Sequence, residues 1–208
     1  MPSPLLSIET LSEGIVTALC SSMGNYYHLL YNAIGVISIV TQFAIFQMKG
    51  RSRIILVNIA SNVGWLLYFV LQGDLISGAA NIIGILSNII YIYRTKYRWA
   101  SSRLWLLLFL AIAGVYSGLT FRAWNDVFPM VACLLSMLAF FMIQEVNISR
   151  ISFFTYIMFM CNSISKLYIV ALIADVTALT SVLLSLYRHK KARKAEKTHE
   201  AYEKTPVS

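Results

Sequence analysis

The chain has 208 residues, of which 58% are hydrophobic and 12% charged, and its mean hydropathy is +0.69. A soluble domain carries about a quarter of its residues as Asp, Glu, Lys or Arg, so water is not the main solvent of this one. The net charge of +8, from 17 Lys and Arg against 9 Asp and Glu, is spread over short segments between apolar runs, which argues against nucleic acid as its partner.

Residues 1–28 hold no Lys or Arg, so the charged start of a cleaved secretory signal is missing. Ile8, Leu11, Ile15 and Leu19 recur at helical spacing and fit an amphipathic helix lying on the outer face. A disordered leader, or an upstream start with Met23 as the true one, fits as well. From there on, apolar runs of about 17–20 residues, the length that crosses a hydrocarbon core, occur near Leu29–Met48, Ile54–Gln72, Leu75–Tyr93, Leu104–Thr120 and Val127–Ile143. The stretch from Ile151 to Tyr187 is almost unbroken and has no clear turn residue. As one helix it would be about 55 Å long against a core of about 30 Å, so it must fold back. It is therefore expected to form two spans, Ile151–Ile169 and Ala171–Tyr187, turning near Val170 and Ala171.

The basic segments fix the orientation. Lys49, Arg51 and Arg53, then Arg94, Lys96, Arg98 and Arg103, then Arg150, and finally Arg188 to Lys194 belong to one side, the cytoplasm. The Gly73-Asp74 turn, the Arg122 to Asp126 turn and the leader with Glu9 and Glu13 belong to the other. The expected fold is an all-α membrane protein of seven transmembrane helices, amino terminus out and carboxyl terminus in.

The spans also echo one another. Asn62 and Leu67-Tyr68 in the second match Asn162 and Leu167-Tyr168 in the sixth, and Tyr93-Arg94 after the third matches Tyr187-Arg188 after the seventh. In that second register Asn81 meets Asp175, Gly84 meets Ala178 and Ser87 meets Ser181. This gives a 3+1+3 duplication: an extracytoplasmic leader 1–28, a three-helix unit 29–94, a linker with the fourth helix 95–125, a second three-helix unit 126–188, and a basic cytoplasmic tail 189–208. A single linking helix makes the two repeats parallel.

Polar side chains at membrane depth are candidates for function. Asn58, Ser61, Asn62, Trp65, Tyr68 and Gln72 stripe the second span, Gly78, Asn81, Gly84 and Asn88 the third, and Gly35, Ser38 and Gln42 the first. Such stripes serve either as glue between helices or as the lining of a solute pathway. The residues expected to line a solute site are Asn62, Trp65, Tyr68, Asn81, Asn162, Tyr168 and Asp175. Lys166 and Asp175 interrupt the last two spans at similar distances from the inferred turn and are expected to form an ion pair. Alternatively Lys166 snorkels to the interface and Asp175 caps the last helix. Gly114 and Gly118 form a small-xxx-small pair that packs against the bundle or a second copy. Cys20, Cys133 and Cys161 have no metal-ligand spacing, and Asn147-Ile148-Ser149 falls in an expected cytoplasmic loop, where glycosylation does not occur.

Leu67-Tyr68-Phe69, the run from Gly78 to Gly84, Asn88, Tyr93-Arg94 and Trp99-Ala100-Ser101 resemble the YgjV-type bacterial inner-membrane proteins. The likeness extends more weakly from about Gly35 to Arg188. It implies a bacterial inner-membrane location. The family in turn resembles SWEET sugar carriers and PnuC-type carriers, which implies a carrier built of three-helix bundles.

No catalytic pattern appears: no His lies clearly within a span, and Asp175 has no second embedded carboxylate. Neither cofactor, metal nor catalysis is expected. The leading expectation is a small-solute carrier working by alternating access, with the lipid bilayer and a small neutral polar or aromatic solute as partners, and a homo-oligomer as an open option. The other is a noncatalytic membrane partner or sensor. A cavity reaching the midplane would favour the first, solid packing the second.

Overall fold

The computed structural model describes residues 14, 16–18, 21–22, 24–72, 75–121, 123–165, 167 and 169–203. The long helices are Asn25–Ile45 (α1), Arg51–Leu71 (α2), Leu75–Ile92 (α3), Arg103–Thr120 (α4), Val127–Phe141 (α5), Glu145–Ser165 (α6) and Ile169–Glu203 (α7), with 3₁₀ turns at Tyr93–Thr95 and Trp124–Asp126. Among the described residues, five regions are long and apolar enough to cross a membrane: Tyr26–Ile45, Arg51–Leu71, Arg103–Thr120, Trp124–Phe141 and Ile169–Ala195. Leu104, Val115 and Leu119 of α4 are 65–73% exposed, a surface suited to lipid rather than water.

Local sequence explains where the helices start. Gly50 precedes α2 at φ +94°, a conformation that costs other residues dearly, and its carbonyl accepts from Arg53 N at 3.0 Å and Ile54 N at 3.1 Å. Ser102 caps α4 by accepting from Leu104 N at 3.3 Å. Pro129 falls in the first turn of α5, where its missing N–H has no intrahelical partner to lose.

Two expectations about the sixth and seventh helices need correction. The turn between them comes about one helical turn earlier than Val170 and Ala171, since α6 ends at Ser165 and α7 begins at Ile169. Leu167 makes it with φ +56°, so a leucine does what a glycine usually does. Asn147 to Arg150 lie in the first turns of α6 rather than in a loop, and α7 carries the helix on through the basic tail to Glu203. The leader up to residue 13, the Gly73-Asp74 turn, Arg122 and Cys20 lie outside the described residues.

The helices pack in a closed order. α1 lies on α2, α2 on α3, α3 on α5, α5 on α6, α6 on α7, and α7 back on α1, while α4 stands outside against α3 and α5. α2 and α3 run antiparallel along their lengths: Gly78 approaches Leu66 and Val70, Gly84 approaches Asn62, and the Tyr91 carbonyl meets Arg51. α6 and α7 do the same, joined by Ser163 with Asp175 near one end and Ser149 with Ser185 near the other.

One end of this ring gathers the basic residues and the tightest core. Ile45, Phe46, Ile55, Tyr91, Ile148 and Val182 are all fully buried there. Phe46 meets the Tyr156 ring edge-on at 5.9 Å, and Tyr91 meets Phe141 at 5.4 Å. The last carbonyls of a helix have no partner within it, and here guanidinium groups supply one. Arg51, 8% exposed, donates to Met142 O at 2.8 Å, Tyr91 O at 2.8 Å and Phe140 O at 3.2 Å. Arg94 donates to Phe141 O and stacks over the Phe141 ring at 3.6 Å. Arg188 donates to Phe46 O at 2.6 Å, and Gly50 N donates to Glu145 Oε1 at 3.0 Å. Positive charge at the carbonyl ends of α1, α3 and α5 complements their dipoles, which offsets the desolvation of the guanidinium groups. Burial pulls Arg94 below its ordinary pKa; Tyr91 opposes that shift and Arg103 adds to it. A guanidinium stays charged regardless.

Candidate functional site

The residues expected to line a site fall into two groups. In the first, Asn62, Trp65 and Tyr68 of α2 and Asn81 of α3 are engaged in packing. A Cβ at Gly84 would sit 3.0 Å from Asn62 Nδ2, and one at Gly35 would sit 2.9 Å from the Tyr68 ring, so glycines let these larger side chains close the gap between helices. A Cβ at Gly64 would come within 2.3 Å of Ser38 Oγ, an approach no larger residue permits without movement. Asn81 donates to Ser77 O of its own helix at 2.9 Å, and Tyr68 Oη accepts from Gln72 Nε2 at 2.9 Å. The faces of α1, α2 and α3 are thus pressed together at these positions, the solid packing expected of glue.

The second group is different in kind. Asp175 of α7 is 7% exposed, and its Oδ2 accepts from Ser163 Oγ of α6 at 2.6 Å. Beside Ser163, the Asn162 amide oxygen is buried with no hydrogen bond. Tyr156, also on α6, is buried and meets the Phe46 ring at the end of α1 edge-on. Gln42 Oε1 of α1 accepts from Trp65 Nε1 at 2.7 Å. Two polar contacts therefore lie between helices here, Trp65 with Gln42 joining α2 to α1 and Ser163 with Asp175 joining α6 to α7. A carboxylate in an apolar span is costly wherever it sits, and it persists where partners or a solute offset that cost. Lys166 and Tyr168, expected respectively as its ion-pair partner and as a lining residue, lie outside the described residues.

Gln42, Tyr156 and Ser163 were not among the expected site residues. Their signal was present: Ser149, Ser152, Tyr156 and Ser163 recur at helical spacing on α6, and Asp175, Ala178, Ser181 and Ser185 answer them on α7. All eight are buried. The open groove described on the surface lies elsewhere, between α3 and α4, lined by Ile83, Ala111, Ile112, Val115, Tyr116 and Leu119, and none of the expected site residues borders it. Nothing lies within 4 Å of a Cβ at Gly114 or Gly118, so that pair does not pack on this chain's own described helices.

Comparison with known proteins places the chain. The family model Imp-YgjV, described as a bacterial inner membrane protein, matches residues 29–193. No curated protein and no solved structure matches, so the wider likeness to SWEET and PnuC-type carriers finds no support.

Proposed function

Because the chain belongs to the Imp-YgjV family of bacterial inner membrane proteins, we propose that this integral inner-membrane protein is a carrier, not an enzyme, for a small polar or aromatic solute, with its site around Asp175. All seven helices cross the bilayer in this reading. Of these, α3, apolar and without a charge, and α6, more polar, run beside α2 and α7 from end to end, so they reach whatever those helices reach. The basic end faces the cytoplasm by the positive-inside rule.

Support for two equivalent three-helix units comes from the arginines that the sequence register pairs. Arg94 follows α3 and binds the carbonyl end of α5; Arg188, within α7, binds the carbonyl end of α1. Each unit's last helix grips the other unit's first. A half-turn about the membrane normal exchanges the two contacts, as a parallel duplication requires.

The observation that carries the proposal is Asp175, a buried carboxylate held by Ser163 between α6 and α7. Packing between helices does not need a charge there, whereas a solute's hydroxyl or amide groups would find an acceptor in Asp175 and Asn162 and a flat apolar face in Tyr156. Proteoliposomes holding the full chain should accumulate members of a panel of hydroxylated and aromatic solutes above protein-free vesicles. Asp175→Asn should cut that uptake at least about tenfold while the protein stays folded. Uptake by none of the panel, or uptake indifferent to Asp175→Asn, would reject the site. A noncatalytic membrane partner is the second reading, favoured by one observation: the Gly114 and Gly118 face is open to lipid, where a foreign helix or a second copy could pack.

A further inference from the structure

The hydrogen bonds described between residues 29–94 and 126–188 cluster at the basic end. They are Arg94 with Phe141 O, Arg188 with Phe46 O, Arg51 with Phe140 O and Met142 O, Gly50 N with Glu145, and Ser181 with Gln47 and Phe43 O. Beneath them lies the apolar plug of Ile45, Phe46, Tyr91, Phe141 and Val182, each at most 4% exposed. At the opposite end Tyr26, Trp124, Leu167 and Ile169 are 72–85% exposed. We infer that Arg94 and Arg188 form a paired latch that holds the cytoplasmic mouth of the ring shut, so that this conformation is closed inward and opens inward only when both release.

This rests on the carrier reading above for its purpose, but its geometry is independent of any solute. The two arginines differ from ordinary helix caps in one respect: each satisfies a carbonyl of the other unit, not of its own. A rigid-body rocking of the units at this end must break both bonds together, along with those of Arg51, Gly50 and Ser181, and among the described residues these two alone repeat one contact in both units. Charge-assisted hydrogen bonds are the strongest that a side chain and a carbonyl can make, and they reform whenever the mouth closes. The Phe46 and Phe141 carbonyls that receive them sit at matching ends of α1 and α5, within the sequences Ala44-Ile45-Phe46 and Ala139-Phe140-Phe141. The latch and its receptor are both duplicated.

The test uses the full chain with Cys20, Cys133 and Cys161 replaced by alanine. Spin labels at Lys49 and Gln144, both exposed and on the two loops that Gly50 and Glu145 join, report the width of the mouth. In a separate variant, Ala178→Cys, a fully buried position about one turn deeper than Ser181, reports access to a membrane-impermeant maleimide added to inside-out vesicles. The parent should give one short distance and slow labelling. Arg188→Ala removes an exposed side chain and leaves no cavity; it should raise the labelling rate about tenfold, and Arg94→Ala with Arg188→Ala about a hundredfold with a second, longer distance. A folded double variant that keeps the single short distance and the protected thiol would overturn the latch and leave the arginines as caps. A wider mouth without uptake of any solute would uphold the latch and remove the carrier reading. Normal uptake with an unchanged mouth would remove the latch alone.

Discussion

Gly64 shows most plainly how single residues set the spacing of α1 and α2. The Ser38 hydroxyl, itself donated to Ile34 O at 2.8 Å, occupies the place a side chain at Gly64 would need. Gly64→Ala brings a methyl to 2.3 Å from Ser38 Oγ and 3.3 Å from its Cβ. The helices must part or the serine must turn, at a cost of about 1–3 kcal/mol. Adding Ser38→Ala removes the nearest atom but not the Cβ, so the double change should recover part of the loss and not all of it. Thermal unfolding in detergent measures both; full stability of Gly64→Ala would mean that the helices are not held this closely. The sequence displayed polar stripes on the first and second spans, with Ser38 in one and Gly64 in neither. It could not say that the stripes were closed, because Asn62 and Tyr68 read equally well as lining and as the side chains that fill the notches at Gly84 and Gly35.

Among elements, α3 and α6 are the ones whose place in the membrane needs a test. α3 has 18 residues and no charge, yet its neighbour α2 supplies much of what holds it; α6 begins with Glu145 and Arg150 and carries its hydroxyls inward. If both cross, a reporter inserted after Gln72 is external and one after Lys96 cytoplasmic, and the pair after Gln144 and Leu167 reads cytoplasmic then external. Identical locations within either pair would remove that helix from the membrane and break the seven-span topology. The helix bounds were legible because apolar runs and basic segments alternate, and most ends fall within a few residues of the expected ones. The α6–α7 turn was not, since Leu167 adopts φ +56° with no glycine or asparagine to announce it. The start of α6 was misplaced for the opposite reason. Its first turn is polar, and polarity in a membrane chain reads as loop until a ring of partners, here Gly50 N for Glu145 and Ser185 for Ser149, accounts for it.

At the scale of the molecule the ring order of the helices is what the sequence concealed, because apolar faces carry no address. Polar contacts at the basic end supply one, and Arg51 is the most connected of them. It heads α2, yet its donors reach α3 at Tyr91 and the end of α5 at Phe140 and Met142, so three helices meet on one guanidinium. A sequence reading that assigns Arg51 to a positive-inside loop explains its sign and misses its burial. The planar fork matters here more than the charge: Nε reaches the end of α5 at Met142 while Nη2 reaches α3 at Tyr91 and α5 at Phe140, whereas a lysine ammonium presents its three donors from one point. Arg51→Lys should therefore keep at most part of the set and cost about 1–3 kcal/mol, and Arg51→Met, which leaves all three carbonyls without their donor in a dry site, should cost more. Detergent thermal unfolding should rank wild type above lysine above methionine. A lysine variant as stable as wild type would show that charge at the carbonyl ends suffices, and Arg51 would then be an electrostatic neighbour of α3 and α5 rather than the joint that fixes where they stand.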